Sequence, residues 1–162
     1  MQDVTFFFNE KCLDYSSYDH PESPDRVRRA WEFLSDKGMS FRTAGASTDD
    51  DILSVHSRQL AENVRTGNFS DINTPYLPGI YDYAKLSAGG AIDAMKYASE
   101  NGFAFSLMRP PGHHAGRASL GGFCYVKNHW SRDQWHPELS KNATITVYSG
   151  SYIPHSTTSH ID

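Results

Sequence analysis

The sequence predicts an α/β domain around a mostly parallel sheet. Three observations carry that expectation. Short, β-prone apolar runs alternate with longer amphipathic runs. The amphipathic runs open on acids or a Ser-Pro pair and close on glycine. The last clear apolar run stops at a Pro-Pro-Gly turn, and open α/β sheets carry their ligands beyond such strand ends.

In chain order, "VTFFFN" (Val4 to Asn9) is a short apolar run and reads as a buried strand. In "HPESPDRVRRAWEFLSDKG", Ser23 is placed as N-cap and Pro24 as first helical residue. Val27, Ala30, Trp31 and Leu34 then recur at helical spacing up to Gly38. "DDDILSVHSRQLAENVRTG" reads as one further helix, with Ile52, Val55, Leu60 and Val64 on its apolar face and Gly67 at its end. "GIYDYAKLSAGGAIDAMKYASENG" is a longer helix whose Gly89 and Gly90 allow close approach of a neighbour. "FAFSLM" (Phe103 to Met108) is the next strand, ended by Pro110, Pro111 and the Gly112 turn.

Composition narrows the function classes. The chain has 162 residues, enough for one domain or a piece of a larger one, and 38% are hydrophobic, so a core is within reach. A net charge of -4 without a basic run argues against a nucleic-acid surface. Cys12 and Cys124 are too few for a disulfide framework and have no zinc-finger spacing. No stretch has the apolar length of a membrane helix, and the start lacks the pattern of a secretory leader. The expectation is a soluble, cytoplasmic protein without nucleic-acid or membrane partners.

The stretch "RPPGHHAGRASLGGFCYVKN" (109–128) holds the candidate chemistry. Two adjacent histidines on a strand-end loop can face one reacting carbonyl from different angles, and imidazole exchanges protons near neutral pH. A solvated loop with two incidental histidines is the plain alternative. The surrounding residues favour chemistry.

"RPPGHHA" followed by "GFCYVKN" resembles the zinc-dependent histone deacetylase and acetylpolyamine amidohydrolase family. "HPESPDRVR", "ILSVHS" and "YDYAKLSAGGAIDA" extend the resemblance over about residues 4 to 128. It implies a three-layer arginase-deacetylase fold, here its N-terminal half. It implies that His114 is the general base toward the attacking water and that His113 has an electrostatic or acid role. Gly122 and Phe123 match the wall of the tunnel that grips an acyl-lysine or acyl-amine stem. Arg26 matches an arginine below the site, with a helix-surface salt bridge as its plain alternative. Asp71, in "SDINTPYLPG", is the candidate rim acid. Cys124 reads as a packed small residue. An arginase-like ureohydrolase is disfavoured by the paired "PGHHA" and "GFCY" blocks.

The family's cofactor is Zn²⁺, held by two aspartates and a histidine from later motifs, with a tyrosine for the oxyanion. None of these motifs is found in this sequence, so no specific metal ligand is assigned and no zinc is expected to be held by this chain alone. Residues 129–162 are rich in Ser, Thr and His and poor in Leu and Val. A frameshifted or truncated gene accounts for that change, as does a short paralogue with its own C-terminal segment. "ATITVYS" within it could form a strand, and "HSTTSHID" an opportunistic metal site. Two functions follow: a deacetylase acting on acetylated lysine or acetylpolyamine, or an inactive fragment that self-associates through an exposed sheet edge.

Overall fold

The computed structural model describes residues 4–128. Expectations that fall on residues 129–162 lie outside the described residues. Three parallel strands, β1 (Val4–Phe8), β2 (Ser40–Thr43) and β3 (Phe103–Ser106), form a sheet in the order β2-β1-β3. Phe6 stands opposite Phe41 on one side and Phe105 on the other. Strand β1 is central and has helices on both faces, which is why it reads as an unbroken apolar run.

The alternation of β1 sorts its phenylalanines between two helical layers. Phe8 stacks on Trp31 of α1 (Asp25–Asp36) at 4.9 Å. Phe7 meets Tyr97 of α4 (Ile80–Asn101) edge-on at 5.8 Å. Helix, sheet and helix make the three layers. The helix start differs from expectation: Pro24 itself is the N-cap, with helical backbone angles and no side-chain capping bond.

The predicted single helix over 49–67 is two helices, α2 (Asp49–Val55) and α3 (Arg58–Thr66). Thr48 and Asp51 form a reciprocal capping box at the start of α2. His56 then turns extended, and the Ser57 hydroxyl caps α3 by accepting from the Leu60 N–H at 3.2 Å. Apolar periodicity survives the break because both helices pack Ile52, Leu60 and Val64 into one cluster with Ile80, Ala84 and Tyr125. Strand β2 was not expected. It is mostly exposed, so its sequence "SFRT" carries little apolar pattern.

Helix α4 is buried along most of its length by small residues. A Cβ on Gly89 would collide with the Gly45 carbonyl and come within 2.6 Å of the Ser47 N, so glycine is required where the strand-to-helix connection crosses it. Among the described residues no helix is long and apolar enough to cross a membrane.

Candidate active site

The histidine loop is built outward from a buried ion pair. After β3, Leu107 donates to the Phe7 carbonyl at 2.9 Å, and the chain stays buried through Gly112. Arg109 is 1% exposed and Glu22 7%. The guanidinium donates to both Glu22 oxygens, Nε to Oε1 at 2.9 Å and Nη2 to Oε2 at 2.7 Å. Its Nη1 donates to the carbonyls of Cys12 (2.9 Å) and Tyr15 (2.8 Å), and the group lies 3.7 Å over the Tyr15 ring. A buried charge this fully hydrogen-bonded fixes the strand end against the first loop of the chain.

The next residues are held from the other side. Ser87 of α4 donates to the Pro110 carbonyl at 2.7 Å, and Asn128 Nδ2 donates to Ser87 Oγ at 3.0 Å. Gly112 has no room for a side chain, since a Cβ would strike the Asn128 amide and the Val126 carbonyl. The loop therefore emerges at a fixed point. His113 and His114 follow, both exposed, with ring centroids 4.1 Å apart and tilted by 49°.

A tight turn faces them. Gly121 and Cys124 exchange two backbone hydrogen bonds of 3.0 and 3.1 Å. Gly122 (φ 57°) and Phe123 (φ 71°) between them are left-handed, the geometry that suits a two-residue antiparallel turn. Glycine at 122 lets the His114 ring lie against backbone, since a Cβ would come within 2.7 Å of its Cδ2. The His114 N–H donates to Cys124 Sγ at 3.5 Å. Burial pushes the Cys124 thiol up to about 11, so it stays protonated and packs as a small apolar residue.

The segment 71–75 clasps this turn. Thr74, fully buried, accepts the Phe123 N–H at 3.0 Å, and Tyr125 donates its hydroxyl to the Pro75 carbonyl. The Asp71 carboxylate lies beside Gly121, 3.3 Å from where a Cβ would stand, and accepts the Asn73 N–H. His20 packs its ring edge-on to Phe123 at 4.9 Å and lies 3.2 Å from the Asn73 carbonyl through Nε2. Tyr15, Glu22, His20 and Tyr125 line a small pocket behind Phe123.

The structure thus gathers His113, His114, Gly122, Phe123 and Asp71 at one end of the sheet. Arg26 stands apart. It sits half-buried on the first turn of α1, and among the described residues its side chain makes no ion pair, whereas Arg28 and Arg29 both pair with Asp25. The salt-bridge alternative for Arg26 therefore has no partner among those residues. The sequence reading missed Glu22 and Arg109 as a pair, although both stand inside motifs it quoted. A separation of 87 residues leaves no periodic trace. His20 and Thr74 were equally hidden, since both contribute through contacts with residues about 50 or more positions away.

Among the described residues no three His, Cys, Asp or Glu side chains converge to hold a metal ion. The described residues therefore do not supply a donor set that fits a zinc ion.

Residues 20–130 match the histone deacetylase domain. The chain belongs to the histone deacetylase family. It is 33% identical over 154 residues to a histone deacetylase-like amidohydrolase of Pseudomonas aeruginosa, covering 77% of this chain and 40% of that protein. A probable deacetylase of Methanothermobacter thermautotrophicus is 37% identical over 116 residues, 67% of this chain and 35% of the relative. The crystal structure of the HDA15 HD domain superposes with a TM-score of 0.71 at 27% identity, over 78% of this chain and 40% of that one. The chain thus spans 35% to 40% of the length of these family members. The parallel sheet with helices on both faces agrees with part of the arginase-deacetylase fold.

Proposed function

We propose that the chain provides the proton-handling and stem-gripping side of a deacetylase site that hydrolyses N-acetyl-lysine or acetylpolyamine amides. In this reading His114 takes a proton from the attacking water as the new C–O bond forms. The electrons of the carbonyl double bond move to oxygen, and His113 supports the developing charge. As the C–N bond breaks, a histidine of the pair returns the proton to the leaving amine. The products are acetate and the free amine. Phe123 and Gly122 line the stem, and Asp71 at the rim orients the substrate backbone. Deacetylases are generally zinc-dependent. The carboxylates for a metal would come from outside the described residues. The two free, buried cysteines suit a reducing compartment, and the cytoplasm is the proposed one.

The observation that supports this most is the His pair itself, exposed at a sheet end with a glycine-phenylalanine turn pressed against it. A general acid-base role carries about 10²–10⁴-fold in rate. Any acetate that zinc-supplemented chain releases from acetyl-lysine peptide or acetylputrescine should fall in His114→Ala, with kcat lower by about that factor. Turnover that survives the substitution would remove the role given to His114.

A second reading rests on the outer edge of β3, which pairs only with β1 among the described residues. There the chain self-associates and has no turnover of its own. Bound metal, measured by elemental analysis beside the assay, separates the two. Metal with turnover supports the first reading; neither supports the second.

A further inference from the structure

Buried polar groups away from the His pair hold the loop in place, and one of them is a histidine. His56 sits between α2 and α3 and is 2% exposed. Its Nε2 accepts the Lys127 backbone N–H at 2.8 Å. An accepting Nε2 puts the proton of the neutral ring on Nδ1. Nδ1 is buried and makes no hydrogen bond of proper geometry, and the backbone of Gly116 and Arg117 lies near the ring. The adjacent Ser57 N–H donates to the Arg117 carbonyl at 2.8 Å. Residues 56 and 57 therefore grip both arms of the site. One arm runs from the His pair to Arg117, and the other returns from the Phe123 turn to Lys127.

We propose that His56 is a positioning residue whose neutral ring clips the Lys127 arm to the α2–α3 corner, and whose protonation releases that arm and loosens the His114–Phe123 arrangement. This rests on the deacetylase reading for its catalytic consequence, but not for the clip. A protonated ring presents N–H to N–H at Lys127, turning an acceptor into a repelling donor.

The electrostatics run in the same direction. Burial pushes the ring below its ordinary 6.5; the Gly116 and Arg117 backbone opposes that shift, and the Lys127 charge adds a smaller push in the same direction as burial. A depressed histidine stabilises the fold above its unfolded value, and the contribution is lost as pH falls through the lower folded value. The clip is thus closed at neutral pH and opens on the acid side.

Amide exchange and histidine ring ¹⁵N spectra of the whole chain test this. At about pH 8 the His56 ring should show a bare Nε2, and the Lys127 amide should be protected. Lowering pH below the ordinary value should cut Lys127 protection by about tenfold, the equivalent of one lost hydrogen bond, while Phe6 in β1 stays protected. His56→Gln supplies an acceptor that does not titrate, so Lys127 protection should persist in acid. His56→Ala should lose it at every pH. If turnover is present, the acid limb of kcat should move in His56→Gln with KM unchanged. A protonated Nε2 at neutral pH overturns the proposal, as does Lys127 protection that is indifferent to pH in the unaltered chain. Both readouts stand without turnover, so a chain that hydrolyses nothing would sink the deacetylase reading and leave this one decided on its own data.

Discussion

At the scale of single residues, the decisive group is Arg109. Its guanidinium has no water to fall back on, so deleting its partner leaves a charge stranded in the core. Glu22→Ala should cost about 3–5 kcal/mol in urea denaturation. Arg109→Lys should also destabilise, because a lysine cannot fork to two carboxylate oxygens and two carbonyls at once. A change within about 0.5 kcal/mol for Glu22→Ala would show that the pair is not what holds the strand end. Thr74 is the smaller counterpart. Thr74→Val removes the acceptor for the Phe123 N–H and should cost about 1–3 kcal/mol, with Thr74→Ser close to the unaltered chain.

Among the elements, α4 shows how a sequence feature can be read correctly without its partner. Its glycines announced close packing, but not against what. Gly89 meets backbone of the connection to α2, which cannot yield, whereas Gly90 meets the flexible Met108 side chain at 2.7 Å. In an exposed helix, Gly→Ala is favourable by about 1 kcal/mol. Here Gly89→Ala should instead destabilise by about 1–3 kcal/mol, and more than Gly90→Ala, as thermal melts would show. The α2–α3 break was hidden for a different reason. Both helices keep one apolar face in register, and Ser57, the cap that separates them, looks like any polar helix residue until its hydroxyl is seen on the Leu60 amide. "TDDD" with its capping box was present in the text, yet a start signal does not say where a helix stops.

Over the whole molecule, the alternation of strand and helix gave the α/β class, the family resemblance implied the layers, and the "PGHHA" and "GFCY" blocks marked the candidate site. Strand order was not readable, because nothing in β1, β2 or β3 encodes which edge each neighbour takes. Long-range pairs such as Arg109 with Glu22 and His56 with Lys127 join residues whose local patterns are independent. The sheet also makes a prediction at this scale. β3 presents Phe103, about half exposed, beside the edge left unpaired among the described residues. Sedimentation velocity should show concentration-dependent association of the chain, relieved by Phe103→Lys, which charges the edge while changing stability by no more than about 0.5 kcal/mol. A single monomer peak at all concentrations would remove edge pairing.

Phe123 holds its ring on a left-handed backbone, at a conformational penalty of about 1–2 kcal/mol for any residue with a Cβ. Glycine would relieve that penalty at once and would also erase the aromatic surface beside His20. Selection for heat tolerance alone should drift toward Phe123→Gly. If Phe123 grips a stem as proposed, selection for that grip should refuse it. The position therefore separates ruggedness from usefulness in a single codon.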